Sequence, residues 1–451
     1  MIDEALVSRT RQHATSPKAH RLRMSWWLHP RSAFLILGPP VLIGAYLVPS
    51  STYTLLYGSA KYVDVNFVLV GLLIYASFIV GSLFAISTGT RSQENDVTLY
   101  CRWFVWPLFV LTTFGYAVWF GYSVLSAGGF GRITAALYSL LFLHEPSAAE
   151  YLKYEVFETI PGITTFTQFG ILYATVEALL WVRGMSQRRY ALARLAVIAS
   201  ATLLRTILYS ERLALIEVIV PVAVIFLSHR KWLRTRRLLV SLAPLLGGLA
   251  VFALFAFAER FRSWTYLQVY YPGSYLQFAV ERFFGYYTTA VNNAAIYYYY
   301  EPIQPLRWSL TSLLTFPGLG EIATAKYEAM FGDGYMSLEQ VLVSYANPAF
   351  NNVAPIGLLL NDFSLLLAPV AAIFLGLVSS SLYGSFANER LVGLLLYPSW
   401  FTGLLEISRV YYWSNQRYFP TLAFMAISLL LFKYAKVPRK PQYSKEDARR
   451  E

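Results

Sequence analysis

The chain has 451 residues, of which 56% are hydrophobic and only 14% are charged, and its mean hydropathy is +0.46. Soluble globular proteins carry nearer a quarter charged residues, so this composition excludes an ordinary soluble domain. The formal net charge of +12 would suit either nucleic acid or an acidic membrane surface. The positions of the basic residues decide between these two partners.

Apolar runs of roughly 17–22 residues recur along the whole chain, and each is long enough to cross the hydrocarbon core of a bilayer. We expect helices in all of them, because lipid offers no hydrogen-bond partner to an unpaired backbone group. The sequence therefore predicts an all-α integral membrane protein with about ten transmembrane helices. The predicted spans are 33–49, 66–87, 103–126, 164–183, 190–208, 211–228, 238–258, 364–383, 391–407 and 417–434.

The basic residues follow this topology. Placing the N-terminus in the cytoplasm puts 25 of the 37 Lys and Arg residues on the cytoplasmic side. Cytoplasmic loops of membrane proteins carry such an excess, so a nucleic-acid partner is not expected. The predicted domains are a basic cytoplasmic tail at 1–32, a polytopic membrane domain at 33–434, and a second basic cytoplasmic tail at 435–451.

Two long loops fall on the outer side of this topology. The first, at about 127–163, has the composition of an amphipathic interfacial helix at 132–143. The second, at about 259–363, contains an insert at 259–353 that holds 13 of the 34 tyrosines. A connection of this length is not needed to join two helices. We therefore expect the large loop to contain short helices and to bind a ligand.

Arginines near the ends of the predicted spans need an explanation, because ionisable residues at membrane depth are costly and mark functional positions. Arg205 lies near the outer end of the fifth span, and Arg212 begins the sixth with almost no loop between them. Two guanidinium groups beside a helix N-terminus suit a phosphate or pyrophosphate anion. The alternative is that both side chains reach lipid headgroups, with Glu211 as a partner.

Other charged residues also admit two interpretations. Asp362 precedes the eighth span, where it either orients or deprotonates a hydroxyl group or caps the following helix. Arg409 and Arg417 flank a short aromatic outer loop, which either faces the insert or anchors an aromatic belt. Glu177 and Glu217 lie deeper in their helices, and each either acts directly or is held by hydrogen bonds to neighbours.

The tyrosines of the insert also fit two roles. Tyrosine collects at bilayer interfaces, which explains the run at 297–300. Tyrosine rings and hydroxyl groups also suit sugar rings, which fits better the tyrosines that are spread through the loop. The single Cys101 excludes an intramolecular disulfide and a cysteine metal cluster. The sequence predicts no metal site and no cofactor.

Two segments resemble those of a known family. Residues 210–217, Ser-Glu-Arg-Leu-Ala-Leu-Ile-Glu, resemble the Ser-x-Arg helix start of bacterial O-antigen and oligosaccharide repeat-unit polymerases. Residues 347–355, followed by Asn361-Asp362-Phe363-Ser364, are similar to the Asn-x-Phe…Asp-Phe-Gly segment of that family. Ser364 stands where the family has glycine. The resemblance covers roughly residues 195–434.

The resemblance implies a lipid-pyrophosphate-dependent glycosyltransferase of the bacterial inner membrane, with both termini in the cytoplasm. Such polymerases build polysaccharides such as those of lipopolysaccharide. They transfer a glycan from an undecaprenyl pyrophosphate carrier to the next lipid-linked repeat unit on the outer face of that membrane. The expected partners are undecaprenyl-pyrophosphate-linked oligosaccharide, membrane lipid and, as a further candidate, a chain-length regulator.

On this interpretation the candidate residues take three roles. The acceptor hydroxyl group needs a base or an orienting acceptor, for which the candidates are Asp362 and Glu211. The growing charge on the leaving group needs fixed cations, and the candidate pyrophosphate-binding residues are Arg205, Arg212, Arg409 and Arg282. The candidate glycan-binding residues are Tyr286, Tyr287, Arg307, Tyr345 and Asn351.

Three other functions stay open at this point. One of them, a peptidoglycan-type glycosyltransferase of similar topology, has no motif in its support. An O-antigen ligase moves a finished glycan to lipid A–core, and that family uses a histidine in its large outer loop. None of the five histidines here lies in 259–353, which favours a polymerase. A polysaccharide or lipid transporter would show internal repeats and broken helices near the bilayer midplane, whereas the charged residues here cluster at the outer edge.

Overall fold

The computed structural model describes residues 24–86, 94–143, 145–208, 213–228, 237–264, 267–269, 271–332 and 336–435. Within these ranges the chain is helical and contains no β-strand. The α-helices are α1 (Pro30–Leu47), α2 (Ser50–Tyr57), α3 (Val65–Leu83), α4 (Glu94–Ser126), α5 (Phe130–Tyr138), α6 (Pro146–Glu150), α7 (Phe169–Val182), α8 (Arg188–Leu208), α9 (Leu213–Ser228), α10 (Arg237–Ser241), α11 (Ala243–Glu259), α12 (Tyr275–Tyr299), α13 (Thr311–Leu314), α14 (Gly320–Phe331), α15 (Leu338–Tyr345), α16 (Pro355–Ala387), α17 (Leu391–Leu405) and α18 (Phe419–Tyr434).

Within the ranges that the structure describes, six helical segments are long and apolar enough to cross a membrane, namely Pro30–Leu47, Val65–Leu83, Asp96–Ser126, Thr164–Val182, Arg188–Leu208 and Pro355–Ala387. Four shorter apolar helices, α9, α11, α17 and α18, coincide with the remaining predicted spans. A 15-residue helix such as α17 covers about 22 Å, less than the roughly 30 Å of a bilayer core. The all-α fold is confirmed, and the ten-crossing topology stays a prediction.

The centre of the bundle is the crossing of α3 and α16. Their backbones touch at Gly81 and Gly376, because a Cβ atom at Gly81 would overlap the carbonyl group of Ile373 and one at Gly376 would overlap that of Phe78. Small residues allow such close approach, and in lipid this close packing replaces the hydrophobic drive between helices. Any larger side chain at either glycine would push the two helices apart.

The helix ends form two groups, and we call the one that carries residues 259–353 the insert end. At the opposite end, Glu177 is completely buried and accepts hydrogen bonds from Arg194 at 2.7 Å and from Ser186 at 2.8 Å. Arg31 donates to the carbonyl oxygen of Ser82 at 2.9 Å. Glu177 is thus the buried partner in an interhelical ion pair, remote from the candidate site.

The packed part of the chain begins before residue 33, the predicted start of the membrane domain. Trp27 and Leu28 are buried, and the indole Nε1 of Trp27 donates to the carbonyl oxygen of Val240 at 2.9 Å. The carbonyl oxygen of Leu28 accepts a hydrogen bond from the hydroxyl group of Tyr397. Residues 1–23 and 436–451, which make up most of the two predicted tails, lie outside the described residues.

The first long loop contains a helix near the predicted position, and its placement at the membrane interface stays a prediction. The observed helix is α5, and a π-helical turn at Ser139–Leu143 extends it. Ile133 points inward and is buried, whereas Phe130 is 71% exposed. A second π-helical turn at Tyr151–Val156 and the buried Trp119 of α4 complete this small apolar cluster. The loop therefore packs on the insert-end half of α4.

The large insert contains the 25-residue helix α12 besides the predicted short helices. Ser274 caps its first turn, and the helix ends after Tyr299. Residues 285–297 are almost all buried, since α12 lies between the bundle helices and the segment at 341–354. Gly357 of α16 touches the backbone of Ala294 on the bundle side. The short helices α13, α14 and α15 follow within the same insert.

Candidate functional site

Arg205 is a tether between helices in this structure. It is 5% exposed, and its Nη1 donates to Thr167 Oγ1 at 2.8 Å. With the Gln168 amide turned so that its oxygen faces Arg205, that oxygen accepts from Nη1 and Nη2 at 3.2 and 3.3 Å. The guanidinium carbon also lies 5.4 Å from the ring centroid of Trp119. These contacts join α4, α8 and the 3-10 turn before α7.

Glu211 and Arg212 lie outside the described residues, so their convergence with Arg205 stays a prediction. The next charged residue of this helix start is Glu217 in α9, which is 1% exposed. Its Oε2 accepts a hydrogen bond from Arg417 Nη2 at 3.0 Å. The start of α9 is therefore bound to the segment that joins α17 to α18.

We call this segment, residues 406–418, the connector. Besides Arg417, it contributes Tyr411, whose hydroxyl group lies 3.2 Å from Ser309 Oγ, and Ser414, whose carbonyl oxygen accepts from Ser312 Oγ. Ser309 and Ser312 belong to the insert. Of the two interpretations of this aromatic loop, the one in which it faces the insert is confirmed. The connector thus ties the insert to α9.

Two arginines at the insert end are each held by a buried glutamate. Arg409 Nε donates to Glu406 Oε2 at 2.7 Å, and Glu406 is 4% exposed. Arg282 Nε lies 3.7 Å from Oε2 of the fully buried Glu259. Removing one member of such a pair costs about 3–5 kcal/mol, because a buried charge is left without compensation. Glu406 therefore fixes Arg409 by a hydrogen bond, and Glu259 holds Arg282 through charge attraction without one.

Aromatic rings of α12 complete this arrangement. The guanidinium carbon of Arg409 lies 5.9 Å from the ring centroid of Tyr287, and that of Arg282 lies 5.8 Å from the ring centroid of Tyr286. Arg282 also lies 4.3 Å from the ring centroid of Phe350. Arg409 also lies within electrostatic range of Tyr286, so both arginines lie beside this turn of α12. Four of the predicted site residues thus come together here, and we call them the Arg282–Arg409 site.

The terminal nitrogens of these two arginines distinguish them from Arg205. Among the described residues, the Nη atoms of Arg282 and Arg409 make no hydrogen bond, and their side chains are 13% and 19% exposed. A guanidinium fixed through Nε presents its Nη edge in a planar geometry that matches phosphate oxygens. The Arg282–Arg409 site can therefore hold an anion at low ordering cost.

Asp362 binds the insert instead of capping the helix that follows it. It lies within α16 just before Ser364, whose φ of 60° and ψ of 170° break the helix. Asp362 is 3% exposed, and its two oxygens accept from the backbone N–H groups of Trp308 at 2.8 Å and Ser309 at 2.7 Å. With both oxygens engaged in this way, Asp362 positions the turn at 301–309.

Asn361 adds three further bonds to this turn. Its side chain donates to the carbonyl oxygen of Pro302 at 2.8 Å and accepts from Trp308 Nε1 at 3.0 Å. Its carbonyl oxygen accepts from the backbone N–H of Gln304 at 2.9 Å. The turn also reaches the connector through Ser309, whose partner Tyr411 has its pKa raised to about 12 by burial. Tyr411 consequently stays protonated near neutral pH.

The five predicted glycan-binding residues do not form one cluster. Tyr345 stacks on Tyr300 with ring centroids 5.1 Å apart, and 14 residues of α12 separate Tyr300 from Tyr286, about 21 Å of helix. Asn351 is exposed, and Arg307 is half-buried in the turn at 301–309. Of the five, Tyr286 and Tyr287 contact the paired arginines, and Asn351 follows Phe350, which Arg282 also contacts.

Sequence reasoning missed the residues that support the site: Glu259, Glu406, Ser309, Tyr411, Glu301 and Gln304. One of these was visible in the sequence, because Glu406 ends an apolar run three residues before Arg409. The pairing of Glu259 with Arg282 carries no comparable pattern. The predictions of no metal and no cofactor stay predictions.

Comparison of the chain with protein-family models, with curated proteins and with solved structures gave no match in any of the three.

Proposed function

We propose that this protein is a polymerase of lipid-linked oligosaccharide repeat units in a bacterial inner membrane. It spans that membrane ten times and keeps both termini in the cytoplasm, so that the insert end faces outward. One observation carries the proposal. Arg282 and Arg409, each backed by a buried glutamate, flank Tyr286 and Tyr287 with their Nη edges unbonded among the described residues. The resemblance of residues 195–434 to such polymerases supports the same function.

The reaction assigns a task to each part of this arrangement. The acceptor hydroxyl oxygen attacks the anomeric carbon of the donor glycan, and the bond from that carbon to the pyrophosphate oxygen breaks. The electron pair leaves with undecaprenyl pyrophosphate, whose charge Arg282 and Arg409 stabilise in a poorly hydrated setting. Tyr286 and Tyr287 offer rings against which the first sugar lies.

The hydroxyl proton needs an acceptor. Glu211 stays the candidate proton acceptor that the sequence predicts. Asp362 fits a positioning task better, because both of its oxygens accept backbone N–H groups of the turn at 301–309. The turn contacts the connector two residues from Arg409. Asp362 would therefore act through the placement of this turn.

The test uses purified full-length protein in lipid nanodiscs with undecaprenyl-pyrophosphate-linked repeat units as the only sugar source. A polymerase forms a ladder of products that differ by one repeat and releases undecaprenyl pyrophosphate. A ligase adds a single glycan to supplied lipid A–core and forms no ladder. A transporter moves the lipid across a vesicle membrane without forming a glycosidic bond. Either of the last two outcomes overturns the proposal.

A further inference from the structure

Three buried polar side chains near the end of α12 make no hydrogen bond to any described residue through their terminal atoms. Tyr297 is 1% exposed, Glu301 8% and Gln304 0%. The atoms concerned are the Tyr297 hydroxyl oxygen, both Glu301 carboxylate oxygens and both Gln304 amide atoms. Native proteins pair nearly all such groups, so five unpaired atoms in one short stretch require an explanation. Apolar side chains of similar size would serve better for packing alone.

Arg307 lies beside this group. Burial raises the pKa of the Glu301 carboxyl group, and the charge of Arg307 acts in the opposite direction. Arg307 also lies within electrostatic range of Tyr297. The ring of Tyr297 meets the ring of Trp308 edge-on, with centroids 5.3 Å apart. A carboxylate, a phenol, a guanidinium group and an indole ring therefore lie together at this end of α12.

Glu301 and Gln304 belong to the turn at 301–309, and Tyr297 lies close to it near the end of α12. The turn is fastened to α16 through the bonds of Asn361 and Asp362 described above. Leu306 within it has a φ of 61°, a left-handed conformation that is unfavourable for a side chain with a Cβ atom. A strained backbone that carries unpaired polar atoms stores energy that a ligand can release. A shift of the turn away from Tyr297 would therefore open these atoms to a polar ligand.

The chemistry of these buried groups selects a neutral ligand rich in hydroxyl groups. A carboxylate accepts O–H donors, and a side-chain amide both donates to and accepts from neighbouring hydroxyls. The rings of Tyr297 and Trp308 suit the apolar face of a sugar. An anion would be repelled by Glu301. A cation would find one carboxylate with an arginine beside it, fewer than the several oxygen ligands that divalent ions need.

We propose that Tyr297, Glu301 and Gln304 form a subsite for a sugar of the lipid-linked oligosaccharide, which opens when the turn at 301–309, carrying Glu301 and Gln304, shifts away from Tyr297. The inference rests on the proposed function. Ten residues of α12 separate Tyr297 from Tyr287, about 15 Å of helix. The subsite therefore binds a sugar distant from the pyrophosphate, and the protein recognises an oligosaccharide instead of its first sugar alone.

The test compares three ligands bound to the full-length protein in nanodiscs. They are undecaprenyl pyrophosphate without sugar, the same lipid carrying the repeat-unit oligosaccharide, and that oligosaccharide released from its lipid. The subsite variant is the double substitution Glu301→Gln with Gln304→Ala. Glu321→Gln is the control, since Glu321 is an exposed glutamate of the same insert. Thermal melting confirms that each variant is folded. If the double variant does not fold, Glu301→Gln alone is used as the subsite variant.

We expect the subsite variant to bind both oligosaccharide-bearing ligands about tenfold more weakly, as for the loss of one or two hydrogen bonds to a charged group. Its affinity for the bare lipid should not change, and the control should match wild type throughout. Unchanged affinity of the folded subsite variant for the oligosaccharide overturns the subsite. If the wild-type protein does not bind bare undecaprenyl pyrophosphate, the proposed function is contradicted. In that case, the affinity for the released oligosaccharide still tests the subsite.

Discussion

Two arginine sites at the insert end look alike in the sequence and differ in the structure. Arg205 is buried, donates to Thr167 and lies against Trp119. Arg282 and Arg409 are partly exposed and bonded or paired through Nε to buried glutamates. Burial inside helix contacts makes Arg205 a tether. Because Arg282 and Arg409 are held through Nε, they are fixed cations whose Nη atoms face away from their glutamates.

The comparison shows that position near a span end does not by itself define an anion site. The cost of arginine at membrane depth can be met by hydroxyl and amide partners, as at Arg205, or by a carboxylate, as at Arg409. A carboxylate bound through Nε, as at Arg409, leaves the Nη atoms without hydrogen bonds among the described residues. Substitutions at the fixed cations, at the tether and at the residues near them test this difference between the two kinds of arginine.

The largest effect is expected for the double substitution Glu406→Gln with Arg409→Gln. Changing both members removes the cation without leaving a buried charge unpaired, so the protein should stay folded. Loss of two charge-assisted hydrogen bonds, each worth about 1.5–3 kcal/mol, should lower the affinity for undecaprenyl pyrophosphate by about 100-fold or more. Binding in nanodiscs measures the change.

The matched control is Lys326→Ala, because Lys326 is an exposed cation of the same insert. It should bind like wild type, as expected of a charge in contact with solvent. A parallel pair, Glu259→Gln with Arg282→Gln, should weaken binding in the same direction. Wild-type affinity in both double variants would remove the Arg282–Arg409 site from the account.

A smaller effect is expected for Asp362→Asn. One side-chain atom becomes an N–H donor that faces the N–H of Trp308 or Ser309, and the unmet bond costs about 1–3 kcal/mol. The turn at 301–309 should then exchange its amide hydrogens faster, and transfer should slow by about tenfold. Affinity for undecaprenyl pyrophosphate should persist. Slow transfer with wild-type exchange in this turn would instead favour direct proton transfer by Asp362.

Arg205→Met should change stability without changing affinity. The substitution keeps much of the side-chain volume and removes the hydrogen bond to Thr167, which should lower the free energy of unfolding by about 1–3 kcal/mol. Thermal melting would show the loss, and binding of undecaprenyl pyrophosphate by the folded fraction should match wild type. A loss of binding at unchanged melting temperature would return Arg205 to the pyrophosphate site that the sequence predicts.

The smallest effect concerns the pH dependence of stability at Glu301. Burial raises its carboxyl pKa above the ordinary 4.5, so the folded state holds this proton more tightly than the unfolded state. The contribution to stability is complete below pH 4.5 and is lost as the pH rises through the raised value. Glu301→Gln should flatten this part of the melting profile, whereas Glu321→Gln should leave it unchanged. If Glu301→Gln and the wild-type protein have the same dependence of melting temperature on pH, the Glu301 carboxylate is solvated and not buried.

Much of the fold follows from the sequence, because apolar runs of membrane length specify helices whatever their neighbours are. The helix α12 was harder to predict as a buried element, since Asn292 and Asn293 lie at its centre. Asn292 accepts from the backbone of Tyr62 and Val63, and Asn293 donates to the carbonyl oxygen of Phe350. These partners are far away in the chain, so no local pattern reveals that the two amides are bonded.

The candidate site shows the same limit. The spacing of Glu406 and Arg409 is local and visible, but Glu217 meets Arg417 across 200 residues. Asp362 is conspicuous in the sequence, yet the N–H groups that it binds lie 53 and 54 residues away. Sequence reasoning can therefore name the charged residues. Which of them are fixed cations and which are tethers depends on contacts made only by folding.

The most direct measurement is the stoichiometry of a single reaction cycle. Purified protein in nanodiscs is mixed with labelled undecaprenyl-pyrophosphate-linked repeat units, and both glycan length and free undecaprenyl pyrophosphate are measured. Our account predicts one undecaprenyl pyrophosphate released for each new glycosidic bond, with the double Glu406→Gln and Arg409→Gln variant inactive and Lys326→Ala active. The absence of any joined repeats with the wild-type protein, using units that a known polymerase elongates, would contradict it.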